Sequence, residues 1–316
     1  MDPSTVSAVI DAVAQHWDWT DAAEITLEAN PSSAEVGKFR DFRAAGVNRL
    51  SLGVQSLNNT SLAFLGRRHD ADEARQALAD AASVFDRFSF DLIYGLPDQT
   101  PQSWHKELAD ALGLAGGHLS VYQLTIEAGT PFFRERIQPA EEDAAIEMFE
   151  LTRDHLADAG MPAYEVSNHA RPGHESHHNL TYWRGGDYIG VGPGAHGRLS
   201  SDDDFVATHQ IHLPSRWLDV VNDKGHGTAK RRQLTARERG EELIMTGLRL
   251  REGLNLKRVE EITGIRWDQC IDPVRYKQCL AGELLRRDGD QLIATQSGLL
   301  RLNAMLAALL VPNDDG

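Results

Sequence analysis

Hydrophobic and polar positions alternate between two spacings over the first 130 residues. Val6, Val9, Ile10 and Val13 recur at helical intervals behind Asp2-Pro3, which suits an N-cap followed by proline at the first helical position. Ile25 to Glu28 has the composition of a short strand, closed by Asn30-Pro31. Val36, Phe39 and Phe42 mark a second helix, and Val47 to Val54 a second strand. Ala74, Ala77, Leu78, Ala81 and Phe85 share one face of a longer helix. A third strand covers Phe88 to Tyr94 and ends at Gly95-Leu96-Pro97. The next helix opens at Thr100-Pro101 with Trp104, Leu108 and Leu112 inward, and a fourth strand runs from His118 to Thr125.

Strands separated by helices of this length predict βαβ units and a parallel sheet. Such sheets hold their ligands at the strand C-terminal ends, a rule that selects Glu28, Gln55 and the 94–97 loop. In a βα array a helix follows a strand, yet here a helix comes first. The first strand would then keep an unpaired apolar edge, so the pattern predicts further β/α steps upstream of Met1. Beyond residue 130 the pattern changes. An acidic helix spans about Ala140 to Ala159 with Ile146, Phe149 and Leu156 inward, Pro162 to Val166 suits another strand, and 167–200 reads as loop rich in histidine, aromatic residues and glycine. Helix resumes near Thr235, a hairpin is expected to turn at Asp288-Gly289, and a terminal helix follows. The expected fold class is α/β, a parallel sheet lacking its first strands plus a C-terminal, mainly helical, winged-helix-like module. The corresponding segments are 1–135, 136–230 and 231–316.

Composition narrows the choice of partners. A net charge of −15 argues against a nucleic-acid partner that needs a globally basic surface. The cluster Lys230-Arg231-Arg232 is either a solvated turn or an anion clamp. No apolar run approaches the roughly 20 residues that span a bilayer, and the first residues lack a secretory pattern. The two cysteines, Cys270 and Cys279, have neither zinc-knuckle nor disulfide-framework spacing, which points to a reducing, cytoplasmic compartment. His169, His174, His177 and His178 cluster in sequence but lack the cysteine or carboxylate partners of a closed zinc site.

Several ordered motifs carry a resemblance. They are Leu27-Glu28-Ala29-Asn30-Pro31, the stretch Ser51 to Asn58 (SLGVQSLN), Asp91 to Pro97 (DLIYGLP) followed by Gln99-Thr100, and His178-Asn179-Leu180-Thr181-Tyr182-Trp183. Gly190 to Gly197 (GVGPGAHG) and Gly247 to Gly253 (GLRLREG) extend the match. In this order they resemble the radical S-adenosylmethionine (SAM) coproporphyrinogen-oxidase-like family, and the HNLTYW motif resembles its HemW-type heme-chaperone branch. By that resemblance the parallel sheet is an incomplete parallel (β/α) barrel lacking its first strands. The resemblance implies that Glu28 meets the SAM ammonium, a charge-assisted contact, and that Gln55 meets its polar groups. Arg67 falls twelve positions after Gln55, where the family has an arginine for the methionyl carboxylate. Arg68 adjoins it, so spacing alone makes that choice. Asp91, in an otherwise apolar strand, needs a partner; the resemblance suggests a ribose hydroxyl, and a structural hydrogen bond is the alternative. Thr125 and His196 are implied near the adenine. His178, Asn179, Tyr182 and Trp183 are implied as the heme element, with His178 a possible iron ligand and the two aromatic rings suited to the porphyrin face. Packing of the loop is the alternative role for those rings.

The chain departs from that family in one respect. A [4Fe–4S] cluster is held there by a Cys-x3-Cys-x2-Cys loop, and neither that loop nor the glycine-rich turn after the second strand occurs in this sequence. A start downstream of both would explain their absence together with the opening helix. The expected function is heme binding and delivery to a client protein, with heme as the ligand and SAM and the cluster as the family's cofactors. Whether the chain is an enzyme stays open. An oxygen-independent coproporphyrinogen III oxidase is the alternative, and a cluster-free TIM-barrel lyase, needing a strand-end lysine or metal, the alternative from another class.

Overall fold

The computed structural model describes residues 1–20, 22–32, 36–201 and 204–310. The chain divides into two compact units between Glu175 and Ser176, inside the segment 136–230 that the sequence pattern sets apart.

The first unit is an open sheet with helices. Its elements are α1 (Pro3–His16), β1 (Thr26–Ala29), α2 (Phe39–Ala44), β2 (Arg49–Gln55), α3 (Asn59–Phe64) and α4 (Ala71–Val84). They continue with β3 (Arg87–Tyr94), α5 (Pro101–Leu112), β4 (His118–Gln123), α6 (Pro131–Arg134), α7 (Glu142–Asp158) and β5 (Asn168–Ala170). Strand order is β1-β2-β3-β4-β5, parallel through β4. Local chemistry sets the helix starts. Asp2 caps α1 ahead of Pro3, Asp70 and Glu73 close a capping box on α4, and Thr100 and Ser103 close one on α5.

Alternation along the strands gives the sheet two unlike faces. Leu50, Leu52, Val54, Phe88, Phe90, Leu92, Leu119 and Val121 are buried on one, with Ala74, Ala77, Leu78, Ala81, Trp104 and Leu108 of α4 and α5 also in the core. Tyr94 stacks on Trp104 at 5.3 Å, and Trp104 Nε1 donates to Thr152 Oγ1 of α7 at 2.8 Å. The opposite face is polar, with Arg49, Ser51, Ser89, Asp91, His118 and Ser120 in lateral register. Arg49 donates to Ser89 at 2.9 Å, and the almost fully buried Glu24 carboxylate pairs with Arg87 at 3.0 Å and faces Arg49 at 3.9 Å.

Three details differ from the sequence expectation. Of the α1 stripe only Val6 is buried, while Val9 and Val13 are exposed. The strand expected at 162–166 forms instead at Asn168–Ala170 and runs antiparallel to β4. The chain reverses between Tyr164 and Asn168, where Glu165 accepts from Ser167 N and Asn168 Nδ2, both at 2.7 Å. The 167–200 loop also contains a helix, α8 (His177–Trp183).

After α8 the second unit has a meander, β6 (His196–Ser201), β7 (Asp204–Gln210) and β8 (Thr228–Leu234), with α9 (Pro214–Lys224) between the last two strands. Its remaining part comprises α10 (Ala236–Gly247), β9 (Leu254–Asn255), α11 (Leu256–Thr263), α12 (Pro273–Ala281), β10 (Leu285–Asp288), β11 (Gln291–Ala294), α13 (Gln296–Leu300) and α14 (Leu302–Leu309). Three helices with an antiparallel sheet of order β10-β11-β9 give the winged-helix-like module, its hairpin turning at Gly289 with φ 58°. Buried Leu243, Ile244, Leu254, Val259, Leu285, Leu292 and Leu306 form its core.

Candidate functional site

At the C-terminal ends of the parallel strands, four of the expected residues come together. Glu28 is exposed near the end of β1, and Gln55 ends β2 in a left-handed conformation (φ 74°) beyond a bulge. Gly53 makes the convergence possible. A Cβ there would lie 3.0 Å from Arg67 Nη2 and 3.3 Å from Gln55 Nε2. Arg67 donates to Gly53 O at 2.9 Å, and its Nε is buried without a hydrogen-bond partner. Arg68, the neighbour that spacing alone could not separate from it, is exposed. Both arginines border a cavity of about 430 Å³ with Asn30, Ser32, His69 and Glu73.

Asp91 lies on the polar face in register with Ser120. Burial raises its pKa to about 6; the Ser120 hydroxyl offsets this in part, Glu28 adds to it, and Arg49 and Arg67 oppose it. Within the fold, the Ser120 hydroxyl on the adjacent strand is a polar group beside the Asp91 carboxylate. Thr125 is exposed just beyond β4. Sequence reasoning missed Gly53, Glu24 and Arg87. Of these only Gly53 carries a local signal, a glycine inside a strand pattern.

The HNLTYW motif folds as α8. Ser176 caps it by accepting from Asn179 N, and Gly185 (φ 65°) ends it, with Gly185 N donating to Tyr182 O and Gly186 N to Thr181 O. One helical turn brings the His178 ring against Tyr182 at 4.3 Å, and Tyr182 meets Tyr188 edge-on at 4.4 Å. The Arg249 guanidinium covers the Trp183 ring at 4.5 Å, so part of the indole face is taken up within the protein.

Tyr182 and Trp183 open on a cavity of about 610 Å³ that also takes in Tyr188, Ile189, Val191, His196, Arg198, Arg239, Glu242 and Met245. Ile189, Val191 and Met245 are 55%, 79% and 44% exposed, an unusual concentration of open apolar surface. Arg198 pairs with Glu242 at 2.8 Å and the buried Arg239 reaches the same carboxylate at 3.3 Å, which leaves one positive charge in excess among the three. His196, expected near an adenine, lies on this cavity in the second unit and stacks on His209 at 4.1 Å. Of this lining, sequence reasoning gave a ligand role to His196, Tyr182 and Trp183; the rest is gathered from residues 185–246, and even Val191, inside the GVGPGAHG stretch, carried no such role.

Cys270 and Cys279 are both free and buried, and burial pushes the Cys270 thiol up to about 11. Among the described residues no three His, Cys, Asp or Glu side chains are placed to hold a metal ion.

Residues 20–111 match the Radical SAM superfamily and residues 234–301 the HemN C-terminal domain. The chain is 41% identical to radical S-adenosyl methionine domain-containing protein 1, mitochondrial, of Mus musculus, over 98% of this chain and 72% of that one. It is 37% identical to heme chaperone HemW of Escherichia coli (strain K12), over 96% and 79% respectively. Its fold matches the solved structure of coproporphyrinogen III oxidase (HemN) from Escherichia coli, a radical SAM enzyme, with a TM-score of 0.79 at 20% identity, over 98% of this chain and 74% of that one.

Proposed function

This chain belongs to the HemW-type family of radical SAM proteins, and from that premise we propose that it binds heme and transfers it to heme-requiring client proteins. One observation carries the reading. The family's aromatic pair, Tyr182 and Trp183, opens on a cavity of about 610 Å³ walled by exposed Ile189, Val191 and Met245. A flat, apolar macrocycle would cover that surface and gain the stacking that aromatic walls offer. The guanidinium excess of Arg198 and Arg239 over Glu242 suits the propionate carboxylates. His178 and Asn179 contribute by building α8, and the His178 ring braces Tyr182.

A hemin titration tests the reading. The wild-type chain should shift and sharpen the Soret band of hemin with saturable, one-to-one binding, and Tyr182→Ala should weaken the effect. A Soret band that stays that of free hemin overturns the reading.

In the first unit we propose that Glu28, Gln55, Arg67 and Asp91 contact SAM, with Thr125 beside its adenine. The residues present fit such a ligand, since Arg67 Nε is buried without a partner and the absence of a Cβ at Gly53 lets Arg67 and Gln55 converge on one place. Glu28 would take the ammonium, Arg67 the carboxylate and Asp91 a ribose hydroxyl. The [4Fe–4S] cluster is different. The sequence contains two cysteines, both buried in the second unit, and no three-thiolate set. The residues of this chain do not fit the cluster, so no radical chemistry is assigned to it and the coproporphyrinogen-oxidase alternative gains no support. Strands β1 to β4 contain no lysine, which leaves the lyase alternative without its nucleophile. No helix among the described residues is long and apolar enough to cross a membrane. The free cysteines suit the cytoplasm, the compartment we propose.

A further inference from the structure

We propose that His196 is the ligand through which the second unit's cavity holds heme iron, with the stacked His209 ring fixing its orientation. The inference rests on the heme reading of the same cavity and assigns the iron a residue outside the HNLTYW motif.

The cavity offers the iron few donors. Among the described residues that line it, His196 alone is an imidazole. The His178 ring packs instead on the edge of Tyr182, and His178 is not among the cavity's lining residues. His196 is exposed, so its ring is accessible to a ligand that enters.

Its placement is also rigid. His196 opens β6 in register with His209 of β7, and the two rings lie nearly parallel, 22° apart with centroids at 4.1 Å. That contact limits rotation of the imidazole about its χ angles, which a metal ligand needs fixed. The backbone beneath it is held by two close approaches. A Cβ at Gly190 would fall 2.0 Å from His196 O, and one at Gly197 would fall 2.4 Å from Thr208 Oγ1. Glycine is therefore required on both sides of the histidine for this geometry. Ile189 and Val191, in the same loop, remain open to solvent unless an apolar ligand covers them.

The chemistry is simple ligation. A ring nitrogen of His196 would supply its lone pair to the ferric iron in place of a water or chloride, with nothing oxidised or reduced.

The test adds hemin to the purified chain and follows the Soret band, the ferric EPR signal and the dissociation constant. His196→Ala should lose the imidazole-ligated spectrum and weaken binding by more than the roughly 10–100-fold cost of losing an outer-shell partner. His209→Ala should keep that spectrum with altered g-values and lose affinity by no more than about 10–100-fold. His196→Cys supplies a readout that a merely structural histidine would not move, because a thiolate-ligated spectrum should replace the imidazole one. If His196→Ala keeps wild-type signal and affinity, the ligand assignment is overturned while heme binding stands. If the wild type itself leaves the Soret band of free hemin unchanged, the heme reading and this assignment are both overturned.

Discussion

Asp91 offers the sharpest physical test of the first unit, because the fold holds its carboxylate in an unfavourable setting. Burial is the main cause, and it lifts the pKa from the ordinary 3.8 to about 6. The sign follows from proton linkage: between these two values the folded chain binds more protons at this position than the unfolded chain, so stability falls as pH rises. The cost is absent below about pH 4 and complete above about pH 7. At about 1.36 kcal/mol per pKa unit the ceiling is about 3 kcal/mol. Some of the side chain meets solvent, so about 1–2 kcal/mol is expected. Replacing Asp91 by Asn removes the charge and keeps the shape, with up to about 1 kcal/mol offset if the Ser120 hydrogen bond weakens. The whole-protein curve alone cannot isolate this effect. Burial also drives His169 down to about 3 and His118 well below its ordinary value, and both destabilise the fold as pH falls through the unfolded histidine range. The difference between wild type and Asp91→Asn, from urea unfolding at pH 4 to 8, cancels those contributions. The variant should gain on the wild type steadily from pH 4 to 7 and then level off. Parallel curves across that range would refute the argument that Asp91 is held charged at a cost.

Three further outcomes follow from the same geometry. Glu24→Gln leaves Arg87 and Arg49 without their buried carboxylate and should cost about 3 kcal/mol or more, measured by the urea midpoint; a loss under 1 kcal/mol would mean that water takes the carboxylate's place. Gly240→Ala puts a Cβ 2.4 Å from Cys270 Sγ and should destabilise by about 1–3 kcal/mol, and Cys270→Ala in the same chain should recover part of that loss in a double-mutant cycle. Anaerobic reconstitution with iron and sulfide should leave this chain far short of about four irons per molecule, because two buried cysteines cannot supply three thiolates.

What the sequence made legible follows the range of each interaction. The strands and helices of the first unit were readable because Leu50, Leu52 and Val54 alternate with Arg49, Ser51 and Gly53, while Ala74, Ala77, Leu78 and Ala81 recur at helical spacing. The strand-end rule then selected Glu28 and Gln55 before any family was considered, and the structure sets Arg67 beside Gln55 across Gly53. The meander was not legible. Residues of β8 are exposed along almost its whole length, so no buried face imposes a period of two, and the pairings of β6 and β7 reveal themselves only in three dimensions. The displaced β5 shows the converse error. Pro162 to Val166 has the composition of a strand, but the reversal held by Glu165 sends the following residues to β4 instead, a tertiary contact overriding a local preference.

The two candidate sites differ for the same reason. Contacts at the strand ends repeat in every parallel sheet, so general topology points to them. The aromatic cavity of the second unit depends on α8, the 185–197 loop, β6 and α10 meeting in one place. A motif could name Tyr182 and Trp183, but only folding reveals that His196 shares their cavity and rests on His209. Our proposal thus gives the residue that the family resemblance implied near an adenine a different role. That reassignment is the one on which hemin binding by the His196 variants will bear most directly.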